Sequence, residues 1–402
     1  MDTNKRKKRV AVMFGGRSPE HDISIVTGLQ VLNAIDPELY DAFPVYLTLA
    51  GDWVCGDPLR QRSTYIPDVE NLKGLTRVSL QLGARRQPAL TAMPTSILGR
   101  PKVIEFDIAL LAFHGLYGED GRIQGLLESA GVPYTGMRLL ASSIFMDKIA
   151  TKQILAGTGI PLLPYWQIER PASGLLLAPE ELERDFPEVR FPCCIKPVHL
   201  GSSIGVARVD NWLEVAEVLP SIFRNDPAAM LEPFVPNLVE YNVAVSRFGA
   251  KAETSAIEQP KRSSELLDFK AKYLGSGPKS GGTKAAGSTS QGMLSLTRTL
   301  NPALPADREH NIRKWASDAF ARVGGTGAPR IDFLGDSQTG EVWLNEINPC
   351  PGSFGYFLWE AAAAPRSFPS LLEALIAEGF EQHRRSQLAA DPTPPDARLF
   401  PR

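Results

Sequence analysis

The run Pro329-Arg330-Ile331-Asp332-Phe333, followed by Asn345-Glu346-Ile347-Asn348-Pro349 and then Pro351-Gly352, constrains this chain more than any other feature. Side chains alternate faces along a strand, so Arg330 and Asp332 point one way on the first strand, as Glu346 and Asn348 do on the next. Pairing the two strands as a hairpin brings an Asp, a Glu and an Asn together as hard oxygen ligands, with a guanidinium beside them. That set suits Mg²⁺, which takes one or two carboxylates along with substrate phosphates. The pattern predicts a chain that handles a nucleoside triphosphate.

Length and composition fit a multidomain enzyme. The 402 residues suggest about two to three domains. The hydrophobic content of 43% supports sizeable cores, and the net charge of -2 gives no reason to expect a nucleic-acid partner. Cys55, Cys193, Cys194 and Cys350 have neither metal spacing nor a disulfide framework, and Cys193-Cys194 lie in an apolar run as small hydrophobes. After Lys5-Arg6-Lys7-Lys8-Arg9 only the short run Val10–Phe14 precedes Gly15-Gly16, too short for a signal-peptide core. No stretch approaches the ~20 apolar residues of a membrane span. These features predict a reducing, cytoplasmic setting with no membrane partner.

Residues 1–140 read as an open α/β unit, with strands at Val10–Phe14, near Phe43–Leu49 and at Phe106–Phe113. Residues 51–100 read as an irregular insertion or a small hairpin. Asp120 is placed to cap a helix carrying Ile123, Leu126, Leu127 and Ala130, with Gly131 as its stop. From about Met146 the texture changes. Asp147-Lys148 opens a short helix, Phe191–Pro197 is a strand, and Met230–Val235 is a strand running into a Pro-flanked hinge. Residues 275–292, with almost nothing apolar, read as a mobile loop, and the last ~15 residues as a frayed tail.

Neither GxxxxGK[ST] nor a GxGxxG after a strand is present, so phosphate must be held another way. Gly201-Ser202-Ser203-Ile204-Gly205 offers close backbone approach, N–H groups and two hydroxyls. Lys196 lies just upstream, and Lys148 is a second candidate cation. A dehydrogenase-like reading of Gly15-Gly16 fails on glycine spacing, and it leaves the hairpin carboxylates without a task.

Six motifs, in order, resemble those of the D-alanine–D-alanine ligases of the ATP-grasp superfamily. They are Gly15-Gly16-Arg17-Ser18-Pro19-Glu20-His21-Asp22-Ile23-Ser24, His114-Gly115 through Gly118-Glu119-Asp120-Gly121 to Gln124-Gly125, Asp147-Lys148, Lys196-Pro197 through Gly205-Val206, Ala271-Lys272-Tyr273-Leu274, and the hairpin pair itself. They span residues 10 to about 360. The resemblance implies an α/β chain with an α+β C-terminal part, built as a three-domain ATP-grasp ligase. Residues 1–140 would form an N-terminal open parallel α/β substrate-binding domain. Residues 141–235 would be the central ATP-grasp subdomain, and 236–390 the C-terminal catalytic subdomain with a mobile loop at 260–292. A tail would follow at 391–402.

The resemblance also implies the chemistry. ATP would be held by Lys148, Lys196, Ser202, Ser203 and Gly205 at its phosphates, by Glu232, Phe234 and Val235 near adenine, and by Glu240 at the ribose. Asp332, Glu346 and Asn348 would bind two Mg²⁺ (or Mn²⁺). Glu20 would anchor the ammonium of the first D-amino acid, tied to Ser202 and Tyr273. Arg330 and the N–H of Gly352 would stabilise the oxyanion of the reaction. His114 is a candidate near the first substrate's carboxylate, or equally a structural histidine ending a strand, while His21 reads as a hydrogen-bonder at a helix entry. Tyr273 belongs to a lid and argues for an amine acceptor. Lys272 and Leu358 would face the acceptor. The role implied is D-alanyl-D-alanine synthesis for peptidoglycan, and hence cell-wall biogenesis and cell shape. A homodimer through the first domain is left open.

One stretch departs from the family pattern. A serine that binds the acceptor's carboxylate is expected before Leu358, and this chain has Phe357 there. Losing one hydrogen bond to a buried carboxylate costs on the order of 1.5–3 kcal/mol. The alternative reading is therefore a divergent carboxylate–amine ligase with another acceptor amino acid or amine. A further alternative, an ATP-binding regulator without turnover, is opposed by the intact Lys148, Lys196, Arg330, Asp332, Glu346 and Asn348.

Overall fold

The computed structural model describes residues 6–65, 74–83, 87–93, 101–249, 251–261, 298–387 and 397. The 262–297 segment, with Lys272, Tyr273 and most of the expected lid, lies outside the described residues, as does nearly all of the tail. Among the described residues the strands form three sheets.

In the first sheet, β1 (Lys8–Gly15) is buried from Val10 to Phe14. A strand with an apolar run of that kind belongs between two parallel neighbours with both faces covered. Those neighbours are β2 (Tyr40–Leu47) and β7 (Ile108–Leu111), both parallel to β1. The 51–100 region corrects the expectation of an irregular insertion or single hairpin. Its strands β3 (Trp53–Cys55), β4 (Thr76–Leu80) and β5 (Ala89–Ala92), followed by β6 (Lys102–Glu105), extend the sheet, each antiparallel to the strand before. One face packs Val10, Val12 and Phe14 against Leu371 and Leu375 of the helix Phe368–Ser386. The other packs Met13 and Leu111 against Ile123 and Leu127 of the helix Arg122–Ser129. Asp120 does not cap that helix. Left-handed Gly121 occupies the N-cap position, and the Asp120 carboxylate accepts from the N–H groups of Tyr117 at 2.7 Å and Arg122 at 3.2 Å.

The second sheet is antiparallel, in the order β10 (Ala207–Val209), β9 (Cys193–Pro197), β11 (Ala228–Pro233), β8 (Trp166–Glu169). Cys193 is buried in its core beside Ile195, Leu219 and Phe223, and all four cysteines are free thiols.

The third sheet runs β14 (Arg298–Leu300), β13 (Lys251–Pro260), β12 (Leu238–Phe248), β15 (Arg330–Asp336), β16 (Val342–Asn348). β15 and β16 form the expected hairpin, with Asp332 opposite Glu346 and Arg330 opposite Asn348. A bulge after Asp332 shifts the register beyond it. Ile331, Phe333, Leu344 and Ile347 turn the other way and pack with Phe145 and Leu155 and with Ile312 and Phe320 of the helix Ala306–Arg322. Burying those apolar residues fixes which side carries the polar four, because a slip of one residue would reverse both faces. Among the described residues no helix is long and apolar enough to cross a membrane.

Candidate active site

The polar face of the β15–β16 hairpin is held together by its own hydrogen bonds. Arg330 Nε and Nη2 each donate to one oxygen of Asp332 at 2.6 Å, and Asn348 Nδ2 donates to Asp332 at 2.9 Å. Glu346 faces Lys148 Nζ at 3.2 Å. Lys148 is the first residue of the helix Lys148–Leu155, whose N-cap Asp147 accepts from the N–H groups of Ile149 at 2.8 Å and Ala150 at 2.9 Å. The Lys148 ammonium also donates to Leu200 O at 2.7 Å, which ties it to the glycine–serine loop. Asp332, Glu346 and Asn348 supply only oxygen ligands on paired strands, and two cations balance the carboxylates. The donor set therefore fits Mg²⁺ or Mn²⁺.

Behind this face lies a buried ion cluster. Glu232, 2% exposed, stands between Lys152 Nζ, at 2.6 Å, and Lys196 Nζ. Burial opposes charge on the Glu232 carboxyl, yet the two ammonium groups hold it below the usual range. Burial likewise opposes charge on Lys196, and the Glu232 charge outweighs it, so Lys196 is held above its usual value. Lys196 also donates to Asn345 Oδ1 at 2.8 Å. The Glu232 side chain is thus engaged by lysines, and only its backbone remains for the hinge. Phe234, beyond it, lies under the Arg208 guanidinium at 4.8 Å. Glu240 sits on β12 opposite Leu334.

The glycine–serine loop reaches across to the first sheet. Ser202 and Ser203 adopt left-handed φ values of 56° and 60°, a conformation non-glycine residues seldom take. Ser202 Oγ donates to Glu20. Burial is the main reason the Glu20 carboxyl is raised above its usual value, with the neighbouring Glu119 adding to it. Gly115 is required beside this pair: a Cβ there would lie 2.4 Å from Ser18 Oγ and 2.7 Å from Glu20 Oε2. Glu20, His114, Ser202, Arg330, Glu346 and Gly352 line one polar cleft.

Both ring nitrogens of His114 are engaged. Its Nδ1 donates to Cys350 O at 2.7 Å, and its Nε2 lies 2.8 Å from Thr27 Oγ1. His114, Glu119 and Cys350 bring ligand atoms within 4.8 Å of one another, but both ring nitrogens are already engaged, so the cluster reads as packing rather than a metal site. His21 bridges Gly16 O and Tyr46 OH at 2.6 and 2.8 Å, as a residue at a helix entry should.

His199 was not singled out from the sequence. It contacts the N-cap Asp147 at 3.4 Å and Asp226 at 2.9 Å. Burial works against its charge, yet hydrogen bonds to the two carboxylates prevail and raise the imidazole to about 9. Since the folded value lies above the unfolded one near 6.5, its contribution is complete below pH 6.5 and lost as pH rises toward 9. Melting temperature should therefore fall across that window by a few degrees more in the parent than in His199→Gln. Parallel pH profiles of the two proteins would contradict this.

Comparison with known proteins sets these parts in a family. The model for the D-ala D-ala ligase N-terminus matches residues 9–137, and that for the C-terminus matches residues 154–377. A D-alanine–D-alanine ligase of Mycobacterium tuberculosis is 34% identical over 399 residues, covering 95% of this chain and 99% of its own. One from Streptomyces avermitilis is 33% identical over 395 residues, covering 92% and 94%. The chain belongs to the D-alanine–D-alanine ligase family. A D-alanine–D-alanine ligase structure from Coxiella burnetii aligns with a TM-score of 0.74 at 25% identity, over 95% of this chain and 96% of that one. A D-Ala:D-Ser ligase from Enterococcus faecalis, at 23% identity and a TM-score of 0.71, shares the fold. The architecture is that of an ATP-grasp ligase.

The stretch after Gly352, where the sequence departs from the expected motif, forms a distinct local structure. Ser353, Phe354 and Gly355 have φ of 51°, 55° and 58°, a short left-handed turn fastened to the helix His21–Ala34 by Ser353 N donating to Thr27 Oγ1 at 3.1 Å. Leu358, expected to face the acceptor, is fully buried and packs in the first core with Trp359 and Leu371. Its side chain serves the core instead, because the helix Tyr356–Glu360 turns it inward. Phe357 is partly buried and carries the Arg298 guanidinium over its ring at 4.4 Å.

Proposed function

We infer that this ligase joins two D-alanines into D-alanyl-D-alanine at the expense of ATP, supplying the dipeptide for peptidoglycan in the cytoplasm. The observation that carries the reading is the meeting of Arg330, Glu346 and Gly352 with Glu20 and Ser202 in one cleft. A carboxylate is a poor electrophile, so the γ-phosphoryl group is first moved onto the carboxylate of one D-alanine, giving an acyl phosphate. Lys148 and Lys196 offset the charge of that transfer, with the Ser202–Gly205 N–H groups beside the phosphates. Asp332, Glu346 and Asn348 would hold two Mg²⁺ or Mn²⁺, which supply charge neutralisation at the phosphates when bound. Glu20, held by Ser202, receives the first substrate's ammonium. The amine of the second D-alanine, as the free base, then attacks the acyl carbon, and Arg330 with the Gly352 N–H stabilises the oxyanion that forms. Its collapse breaks the acyl C–O bond, releasing inorganic phosphate and the amine's proton and leaving the amide. Lys272 and Tyr273 belong to this reading as acceptor-side and lid residues. We assign the first ~140 residues to binding the first substrate, 141–235 to nucleotide, and 236–390 to catalysis.

Phosphate release from Mg-ATP with D-alanine alone, followed by mass spectrometry of the product, tests it. A D-alanyl-D-alanine mass is expected. Release only when another amine is added would favour the divergent-acceptor reading, which Phe357 supports. Excess EDTA is expected to abolish turnover, and Mg²⁺ or Mn²⁺ to restore it. Turnover persisting in chelator would remove the metal role from the hairpin.

A further inference from the structure

Across the third sheet one row of directly paired residues runs Glu346, Asp332, Asn242, Glu258. Directly paired residues share a face, so the row leads from the hairpin carboxylates to β13, next to the edge strand β14. It is joined by hydrogen bonds at its far end. Asn242 Nδ2 donates to Glu258 Oε2 at 3.1 Å, and Glu258 Oε1 receives Arg298 Nη1 at 2.9 Å. Glu258 and Asn242 are both buried. Arg298 is therefore fixed at one corner of its guanidinium by a carboxylate that is itself fixed.

Two further observations say what the rest of that guanidinium is for. Its plane lies over Phe357, the residue that stands where the family pattern has the acceptor-binding serine. Its Nε is buried and has no hydrogen-bond partner among the described residues. A buried donor without a partner is costly and calls for one. The Phe357 ring cannot accept a conventional hydrogen bond, but it can hold a guanidinium in place by cation–π contact. A planar fork of five donors, oriented by one carboxylate and one ring, matches a second carboxylate.

We propose that Arg298 recognises the carboxylate of the acceptor amino acid, taking over at this site the task of the missing serine hydroxyl. Glu258 and Phe357 are its positioning residues. The inference rests on the ligation reading given above and goes beyond it in naming the residue that reads the acceptor's carboxylate, which separates an amino acid from a simple amine or an amino acid amide.

The test uses the whole enzyme with Mg-ATP and a panel of D-amino acids beside their carboxamides, which keep the amine and lose the acid. The parent is expected to use the acids at least tenfold better in kcat/KM for the acceptor. In Arg298→Gln that preference should shrink about tenfold to a hundredfold through a rise in acceptor KM, while the KM for ATP stays unchanged. Arg298→Lys, which keeps the charge but not the fork, should fall between. Equal loss for acids and amides in Arg298→Gln, or a preference that survives the substitution, would overturn the proposal. So would a parent that uses amides as well as acids. Turnover only with acids other than D-alanine would end the D-alanine reading and leave the Arg298 test intact, because the same comparison is made with whichever acid is used.

Discussion

Replacing Glu232 by alanine is expected to unfold the nucleotide side of this enzyme at a markedly lower temperature and to weaken ATP binding with it. The substitution leaves Lys152 and Lys196 buried within reach of each other with no carboxylate between them. Removing one partner from a buried ion cluster costs about 3–5 kcal/mol, since the remaining charge is stranded. Lys152 is 1% exposed, its only other polar partner among the described residues being Leu163 O at 3.0 Å. Burial already holds its ammonium below the usual value, so the variant should shed that proton more readily still. Lys196 loses the contact that aims it and should drift from its place beside Asn345. Thermal melting and the KM for ATP report the two effects. A variant that melts with the parent and binds ATP as well would show that the cluster positions nothing.

Changing Arg330 to lysine is expected to lower kcat by about 10²–10³-fold with little change in the KM for ATP. Lysine keeps the positive charge but cannot make the paired contacts to Asp332 that Arg330 makes through Nε and Nη2. Two functions are thereby separated by a metal titration. An unchanged Mg²⁺ requirement with a low kcat assigns Arg330 to the oxyanion. A raised Mg²⁺ requirement assigns it to holding Asp332. A kcat within tenfold of the parent would dismiss both.

The hairpin was legible because strand alternation is strict and four polar residues at two-residue spacing leave little choice of partner. The helix opening at Asp147-Lys148 was legible for a similar local reason, since a side-chain cap acts within its own turn. Lys152 was not. A lysine one turn after Lys148 looks like a solvated helix face, and only Glu232, on a strand from another part of the chain, makes its burial tolerable. His199 was missed because its two partners lie 52 residues before and 27 after it. The strands of 51–100 are short and weakly alternating, so the edge of β2, rather than their own pattern, determines that they pair. Leu358 matched the family motif by count, yet a left-handed turn just before it decides which way the following helix points its side chains. Arg298 and Phe357 are 59 positions apart, and no spacing rule joins them.

The bond from Ser202 to Glu20 links residues 182 positions apart. Chimeras that graft the opening segment of one relative onto the remainder of another will succeed only if the two sides of that seam are exchanged as a matched pair. The same holds for Thr27, which meets Ser353 from the far end of the chain. Neither fragment, expressed alone, can carry both sides of the cleft that Glu20 and Ser202 line together.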